Sequence, residues 1–257
     1  MKRRRDGREG RDEWLYGRRP VLEVLRAARR EIHEILVPPV LDATAEWEEL
    51  VARAHERGID CKPASREQLE RFCGGGNHQG VAMRVGPYPY ADIEDALDAG
   101  RAGGEALYLI LDHLEDPQNV GSLLRTADAA GVTAVILPED RASAVTPAAV
   151  RASAGASEHL MVVRTVNIVR ALEALKREGV WLTGLDMDGP NARPYTEIDF
   201  RGPAGIVVGA EGNGLSRLAR ETCDFIAQLP MRGGVSSLNA AVAGAIALYE
   251  VVRQRGA

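Results

Sequence analysis

The sequence predicts an α/β protein in which a small N-terminal α/β unit precedes a parallel sheet with helices on both faces. Its 257 residues are 45% hydrophobic and 27% charged, values typical of one or two globular domains. From residue 106 onward, short apolar runs alternate with helical patterns, and the runs lack the polar alternation of a half-exposed strand. Such an order favours a parallel sheet, whose ligands bind outside the carboxyl ends of the strands.

The N-terminal part divides into an arm and a small domain. Residues 1–12 are highly charged and predict a basic flexible arm, and residues 13–85 predict the domain. Pro20 fits the first turn of one helix, the pattern at 45–57 predicts a second, and Ser65 begins a capping-box pattern for a third. The strand-like runs of this unit lie at 32–37 and 78–85.

The second part is the larger one. Residues 86–105 contain two prolines and a Gly103-Gly104 pair, so we predict a linker there, followed by a domain at 106–257. The strands predicted in this domain are 107–111, 132–137, 159–163, 180–185, 205–209 and 225–229. The predicted helices are near 120–130, 146–153, 167–178, 214–221 and 238–253.

The charge of the chain is unevenly distributed. Residues 1–30 hold 11 basic and 5 acidic residues, a net charge of +6, whereas the remaining 21 basic and 32 acidic residues give −11. A basic head on an acidic body indicates contact with a polyanion, or else a tail that increases solubility.

Several common kinds of site are excluded. The sequence has no GxxxxGK[ST], no GxGxxG after its first long strand, no GxSxG and no HExxH. Its three cysteines are scattered and lack the spacing of a zinc site or a disulfide framework. No apolar run is long enough to span a membrane and no secretory signal is visible, so we expect a cytoplasmic protein without a metal.

Three polar segments follow predicted strands and open predicted helices. The first, 112–125, places Asn119 at a helix start, where free N–H groups suit an anion, and Arg125 farther along the helix. The second, 205–215, runs from a strand into three glycines and Glu211, and glycines let the backbone approach a ligand closely. The third, 229–239, ends in polar residues that open the last helix.

Each segment alone also fits an ordinary structural role: a capped helix, a tight strand-to-helix turn, or a second capped helix. His113 is the only histidine near these segments, and a hydrogen-bonded loop residue is the commoner explanation for it than a ligand. The small residues of the last helix fit either a plain buried helix or close approach of a partner subunit.

Together, in this order and spacing, the three segments resemble the motifs of the SpoU (TrmH-like) RNA 2'-O-ribose methyltransferases. NVGSLLR at 119–125 is similar to the first motif, GAEGNGL at 209–215 to the second and SLNAAVA at 237–243 to the third. Ala240-Ala241 departs from the bulkier or hydroxyl residues common in the family. YGRRPVLEVLR and NHQGVAMRV upstream resemble the bacterial 23S rRNA guanosine 2'-O-methyltransferase subgroup.

The resemblance implies a fold, a cofactor and partners. It implies a SPOUT domain with a C-terminal trefoil knot, and an L30e/L7Ae-like RNA-binding domain at 13–85. S-adenosyl-L-methionine is the implied cofactor, RNA the substrate and a homodimer the working form. No metal is implied, because the sulfonium leaving group carries its own positive charge.

The resemblance also implies roles for individual residues. Arg125 would be the base or activator of the ribose 2'-OH; because arginine stays protonated, it could instead hold a phosphate and lower the pKa of the hydroxyl. The implied catalytic set is Asn119, Arg125, Glu211, Ser237 and Asn239. The implied cofactor-binding set is Gly209, Leu229 and Leu238, with Met231 and Gly233 as further candidates. Phosphate contacts are expected from Lys2, Arg3, Arg4 and Arg5.

The leading interpretation is 2'-O-methylation of a guanosine in 23S rRNA, in the peptidyl-transferase region. Within the same superfamily, a tRNA enzyme and a 23S adenosine enzyme are alternatives, although the N-terminal domain argues against the tRNA enzyme. From other classes, the alternatives are an RNA-binding assembly factor that has lost catalysis and a protein that binds a small nucleotide.

Overall fold

A mixed four-stranded sheet organises the N-terminal domain in the computed structural model, which describes residues 12–189 and 191–256. The strand order is β1-β4-β2-β3, with only the β2–β3 pair parallel. Its elements are β1 Glu13–Tyr16, α1 Arg18–Ala27, β2 Ile32–Val37, α2 Ala45–Glu56, β3 Cys61–Pro63, α3 Arg66–Cys73 and β4 Ala82–Val85.

Side-chain alternation along the strands gives this sheet two apolar faces. Leu15 points toward α1 and α2, whereas its neighbours Trp14 and Tyr16 pack on the side of α3. The predicted capping box is confirmed: Ser65 Oγ accepts from the Gln68 amide, and Gln68 Oε1 accepts from the Ser65 amide.

The segment predicted as a linker contains a helix that the sequence analysis did not anticipate, α4 (Ile93–Gly103). Its residues Ala96 and Leu97 are buried against the large sheet, and the Tyr108 hydroxyl donates to the Ala96 carbonyl. Gly100 is required in this helix, because a Cβ there would lie 1.9 Å from the Tyr108 hydroxyl oxygen.

The second domain has a seven-stranded parallel sheet, as predicted, in the order β7-β6-β5-β10-β8-β11-β9. The strands are β5 Leu107–Asp112, β6 Ala134–Pro138, β7 Val162–Thr165, β8 Trp181–Leu185, β9 Ala192–Pro194, β10 Ala204–Gly209 and β11 Phe225–Gln228. The helices are α5 Pro117–Ala129, α6 Pro147–Ala152, α7 Ile168–Arg177, α8 Arg217–Thr222 and α9 Ala240–Gln254.

The central strands are covered on both faces. All six residues of β5 are buried; α5, α6 and α9 pack on one face of the sheet, and α4, α7 and α8 pack on the other. Each of the six strands and five helices predicted for this domain has a counterpart, although β7 begins at Val162 and not at 159. β9 of this domain was not predicted, nor were β1 and β3 of the N-terminal domain. The trefoil knot stays a prediction.

A buried polar contact joins the two domains. Arg29 Nη1 donates to the Leu160 carbonyl over 2.6 Å, and the Tyr88 hydroxyl donates to the Ser157 carbonyl over 2.6 Å. Beside them, Arg30 and Glu158 are almost fully buried and form an ion pair of 3.5 Å. The N-terminal domain is thus held against the segment that follows α6.

Candidate active site

The three sequence segments meet at the carboxyl edge of the large sheet. β5 and β10 are neighbours in register, with Asp112 opposite Gly209, so both strands end at the same level. The loops that follow them therefore emerge side by side, and the segment after β11 leads into α9. This edge is where parallel sheets bind their ligands.

One side chain from each segment contributes to a hydrogen-bonded cluster. Asn119 Nδ2 donates to Glu211 Oε1 over 2.6 Å, and Asn239 Nδ2 donates to the same oxygen over 2.9 Å. Asn239 Nδ2 also lies 2.9 Å from Asn119 Oδ1. The structure thus brings together Asn119, Glu211 and Asn239, which are distant in sequence, and we call them the amide–carboxylate cluster.

Local structure fixes the orientation of the two asparagines. Asp116 caps α5 and Pro117 occupies its first position, so Asn119 lies in the first turn and is buried. Asn239 caps α9: its Oδ1 accepts from the amides of Ala241 and Val242, which leaves its Nδ2 free to reach the cluster.

Gly209 shapes the loop that carries Glu211. The loop closes on itself through paired backbone hydrogen bonds between Ala210 and Gly214. A Cβ on Gly209 would lie 2.2 Å from the Gly214 carbonyl carbon, so no side chain fits there. Glycine at 209 therefore permits the tight return of the chain.

A cavity of about 540 Å³ opens beside this loop. Four of the five predicted cofactor residues line it, as does Ser237, and Gly233 does not; the four are Gly209, Leu229, Met231 and Leu238. Leu185 and Asp186 also line the cavity and were missed by the sequence analysis. Leu185 is the last residue of β8 and Asp186 follows it, so their position at the carboxyl end of a predicted strand was the available signal.

A second cavity, of about 610 Å³, lies on the other side of the amide–carboxylate cluster. Asn119 and Glu211 line it, whereas Glu211 and Asn239 line the first cavity, so the cluster stands between the two. His113 also lines the second cavity, and its Nδ1 lies 2.6 Å from Asp112 Oδ1. Because the buried Asp112 also accepts from the Ser216 amide, it ties the β5 loop to the start of α8.

Arg125 lies away from this cluster within one chain. Six residues along a helix advance a side chain by about 9 Å and turn it by roughly 120°, so Arg125 and Asn119 face different ways. Arg125 is exposed and lines a cavity between the two domains, together with Arg19 of α1. Lys2, Arg3, Arg4 and Arg5 lie outside the described residues.

Over the part of the chain that the structure describes, no three His, Cys, Asp or Glu side chains come together as metal ligands would. No helix in these ranges has the length and apolar character needed to cross a bilayer.

Two family models match the chain. The model of the SpoU rRNA methylase family covers residues 106–249, and that of the RNA 2'-O ribose methyltransferase substrate-binding domain covers residues 14–91. A 23S rRNA (guanosine-2'-O-)-methyltransferase, RlmB of Xylella fastidiosa, is 38% identical over 95% of this chain and 97% of its own length.

Solved structures show the same similarity. The SpoU methyltransferase AviRb of Streptomyces viridochromogenes, in complex with the cofactor AdoMet, aligns with a TM-score of 0.77 at 27% identity, over 95% of this chain and 90% of its own. A TrmH/SpoU tRNA-modifying enzyme of A. aeolicus aligns with a TM-score of 0.53 at 26% identity, over 63% of this chain and 84% of its own. The chain belongs to the SpoU family of S-adenosylmethionine-dependent RNA 2'-O-methyltransferases.

Proposed function

We propose that this enzyme methylates the ribose 2'-OH of a guanosine in 23S rRNA, and that it does so in the cytoplasm as a homodimer. The observation that carries the reaction is the amide–carboxylate cluster between two cavities at the carboxyl edge of the sheet. The similarity to RlmB over nearly the whole chain supports the choice of substrate. The A. aeolicus tRNA enzyme, in contrast, aligns over only 63% of this chain.

The first cavity suits an adenosyl group. Leu229 and Leu238 offer apolar contacts for a purine, and the backbone of the Gly209 loop, which lacks a side chain at 209, offers hydrogen bonds. Its volume is within the usual range for cofactor sites, roughly 300–1,000 Å³. S-adenosylmethionine, when bound, supplies a methyl group that its sulfonium has already activated. The protein must therefore align the acceptor and remove a proton.

The second cavity would receive the target nucleoside. Glu211 Oε1 is occupied by two amide donors, whereas Oε2 makes no hydrogen bond with a described residue. We assign Oε2 to the ribose, as acceptor of a hydrogen bond from the substrate. Asn119 and Asn239 hold the carboxylate in place for that contact.

Arg125 enters this site from a second copy of the chain in our proposal. Its guanidinium makes no hydrogen bond or ion pair with described residues, and it faces away from its own cluster. The exposed apolar side chains of the third segment and of α9 (Val235, Val242 and Tyr249) offer a surface for that copy. At the neighbouring site, Arg125 would hold a phosphate and favour ionisation of the 2'-OH.

Transfer of labelled methyl groups from S-adenosylmethionine to protein-free 23S rRNA tests the proposal. We expect one alkali-resistant 2'-O-methyl guanosine. Label in tRNA or on an adenosine would support 2'-O-methyl transfer but contradict a 23S rRNA guanosine as the substrate. Cofactor binding without transfer to any RNA would favour an assembly factor.

A complementation experiment tests the role of Arg125. Arg125→Ala should abolish transfer and leave cofactor affinity within a few fold. Mixing Arg125→Ala with Glu211→Gln subunits should restore part of the activity, because each mixed dimer keeps one complete site. Absence of recovery in verified mixed dimers would contradict the shared site.

A further inference from the structure

A continuous cleft separates α1 of the N-terminal domain from α5 and α6 of the catalytic domain. It consists of two adjoining cavities of about 660 and 760 Å³, which share Arg19, Glu46 and Ala154 as lining residues. Arg125 lines the first cavity and Arg151 the second. Both domains therefore contribute arginines to one cleft, which we call the interdomain cleft.

The arginines of the interdomain cleft are available for a ligand. Arg19, Arg125 and Arg151 are exposed, and none of them forms an ion pair with a carboxylate of the described residues. This differs from Arg26 nearby, which is held by Glu23 at 2.7 Å and by Glu49 at 2.6 Å.

The acidic residues of the interdomain cleft are mostly neutralised. Glu23 and Glu49 share the Arg26 guanidinium, Glu49 is also held by Arg53 at 2.7 Å, and Glu46 lies 3.9 Å from the Arg18 guanidinium. Asp128 alone lines the cleft without an ion pair to a described residue. Three guanidinium groups and one carboxylate thus line the cleft without an ion pair to a described residue, so the cleft favours an anion locally although the described chain is acidic.

Arg151 is oriented before any ligand binds. Its guanidinium lies 5.5 Å from the centre of the Tyr16 ring, and its Nη1 donates to the Tyr16 hydroxyl over 3.3 Å. Tyr16 belongs to β1, so this contact crosses between the domains. A guanidinium fixed in this way retains donors for the two oxygens of a phosphate.

We propose that the interdomain cleft binds the phosphodiester backbone of the substrate RNA. The RNA would run from the N-terminal domain past Arg151 and Arg19 toward Arg125, whose assigned role is to hold a phosphate. The side-chain amides of Asn77 and Gln79 line the same cleft and add polar groups suited to phosphate or ribose oxygens. This inference rests on the proposed function, since it assigns the route by which that substrate reaches Arg125.

The test measures the affinity of protein-free 23S rRNA for the full chain carrying both Arg19→Ala and Arg151→Ala, over a range of salt concentrations. We expect the affinity to fall about tenfold at low salt, because two phosphate contacts are lost. The slope of log K against log salt should become shallower by roughly 1.4, at roughly 0.7 for each contact with single-stranded RNA. Affinity for S-adenosylmethionine should not change, which also verifies folding.

Arg170→Ala is the matched control, because Arg170 is an exposed arginine on α7, on the opposite face of the sheet. Unchanged RNA affinity in the double variant, an equal loss in Arg170→Ala, or a loss without a change in salt slope would each overturn the proposal. A wild-type chain that binds RNA but transfers no methyl group would contradict the proposed function and leave this test intact.

Discussion

The two ends of the Asn239 side-chain amide have different roles, one in the cap of α9 and one in the amide–carboxylate cluster. Its Oδ1 caps α9 and its Nδ2 donates to Glu211 and Asn119. The helix cap and the candidate active site therefore depend on the same side chain, and substitution can separate the two roles.

We predict different outcomes for two substitutions of this residue. Asn239→Ala removes the cap and should lower the free energy of unfolding by about 1 kcal/mol. Asn239→Asp keeps a capping oxygen but sets a carboxylate against Glu211, so transfer should fall about ten- to hundredfold with the α9 cap retained. Denaturant unfolding and methyl-transfer rates measure the two effects; full activity in Asn239→Asp would exclude a role for the Nδ2 donor.

At the residue scale, the motifs predicted the members of the cluster but not the position of Arg125. Asn119, Glu211 and Asn239 each follow a strand that ends at the same edge of the sheet, and strand order determines that they meet. Arg125 belongs to the same motif as Asn119, yet helix geometry turns it toward the interdomain cleft. Its partners depend on packing between domains, which a local pattern does not contain.

At the scale of elements, α4 is a short amphipathic helix that the local sequence pattern did not predict. Prolines precede it and a glycine pair ends it, so the local composition indicates a linker. Its buried residues nevertheless pack beside Tyr108 of β5, and Arg101 at its end holds Glu178 at 2.6 Å. The sequence pattern also did not predict β9, because β9 is a three-residue edge strand that ends in Pro194.

We predict that Leu97→Ala will destabilise the catalytic domain by about 2–5 kcal/mol, because it empties a buried site beneath the large sheet. Glu94→Ala, in an exposed position of the same helix, should change stability by less than about 0.5 kcal/mol. Urea unfolding followed by circular dichroism measures both values. A similarly small effect of Leu97→Ala would mean that the segment acts only as a connection.

At the scale of the whole molecule, the two domains are joined by a buried ion pair. Arg30 lies over the ring of Tyr88, and its Nη2 also contacts Glu13 at 3.2 Å. Glu158 is 1% exposed, and burial raises its pKa more than the neighbouring Arg30 guanidinium lowers it. Removal of Arg30 leaves Glu158 buried without its ion-pair partner.

We expect Arg30→Ala to cost about 3–5 kcal/mol and to uncouple the domains. In scanning calorimetry the wild-type chain should unfold in one transition, and the variant in two. Arg53→Ala provides a control, because it breaks a half-buried pair with Glu49 on the surface of α2 and should leave a single transition. A single transition in both variants would show that other contacts couple the domains.

The raised pKa of Glu158 also predicts a dependence of stability on pH. The folded chain holds this proton at pH values where the unfolded chain has released it, so the contribution to stability is complete below the ordinary value of 4.5. It is lost as the pH rises from 4.5 through the raised pKa of the folded state. The free energy of unfolding, measured across this pH range, should fall less in Glu158→Gln than in the wild-type chain. An identical pH profile in the two chains would contradict the prediction.

The sequence by itself determined the parallel α/β class of the catalytic domain, its six main strands and the three segments at their carboxyl ends. It could do so because apolar periodicity, caps and glycine turns are local signals. Only the tertiary structure decided that Asn119, Glu211 and Asn239 share one hydrogen-bond cluster, and that Arg125 faces Arg19 across a cleft between domains. These relations arise from strand order and from the docking of two domains, which depend on contacts between residues far apart in the chain.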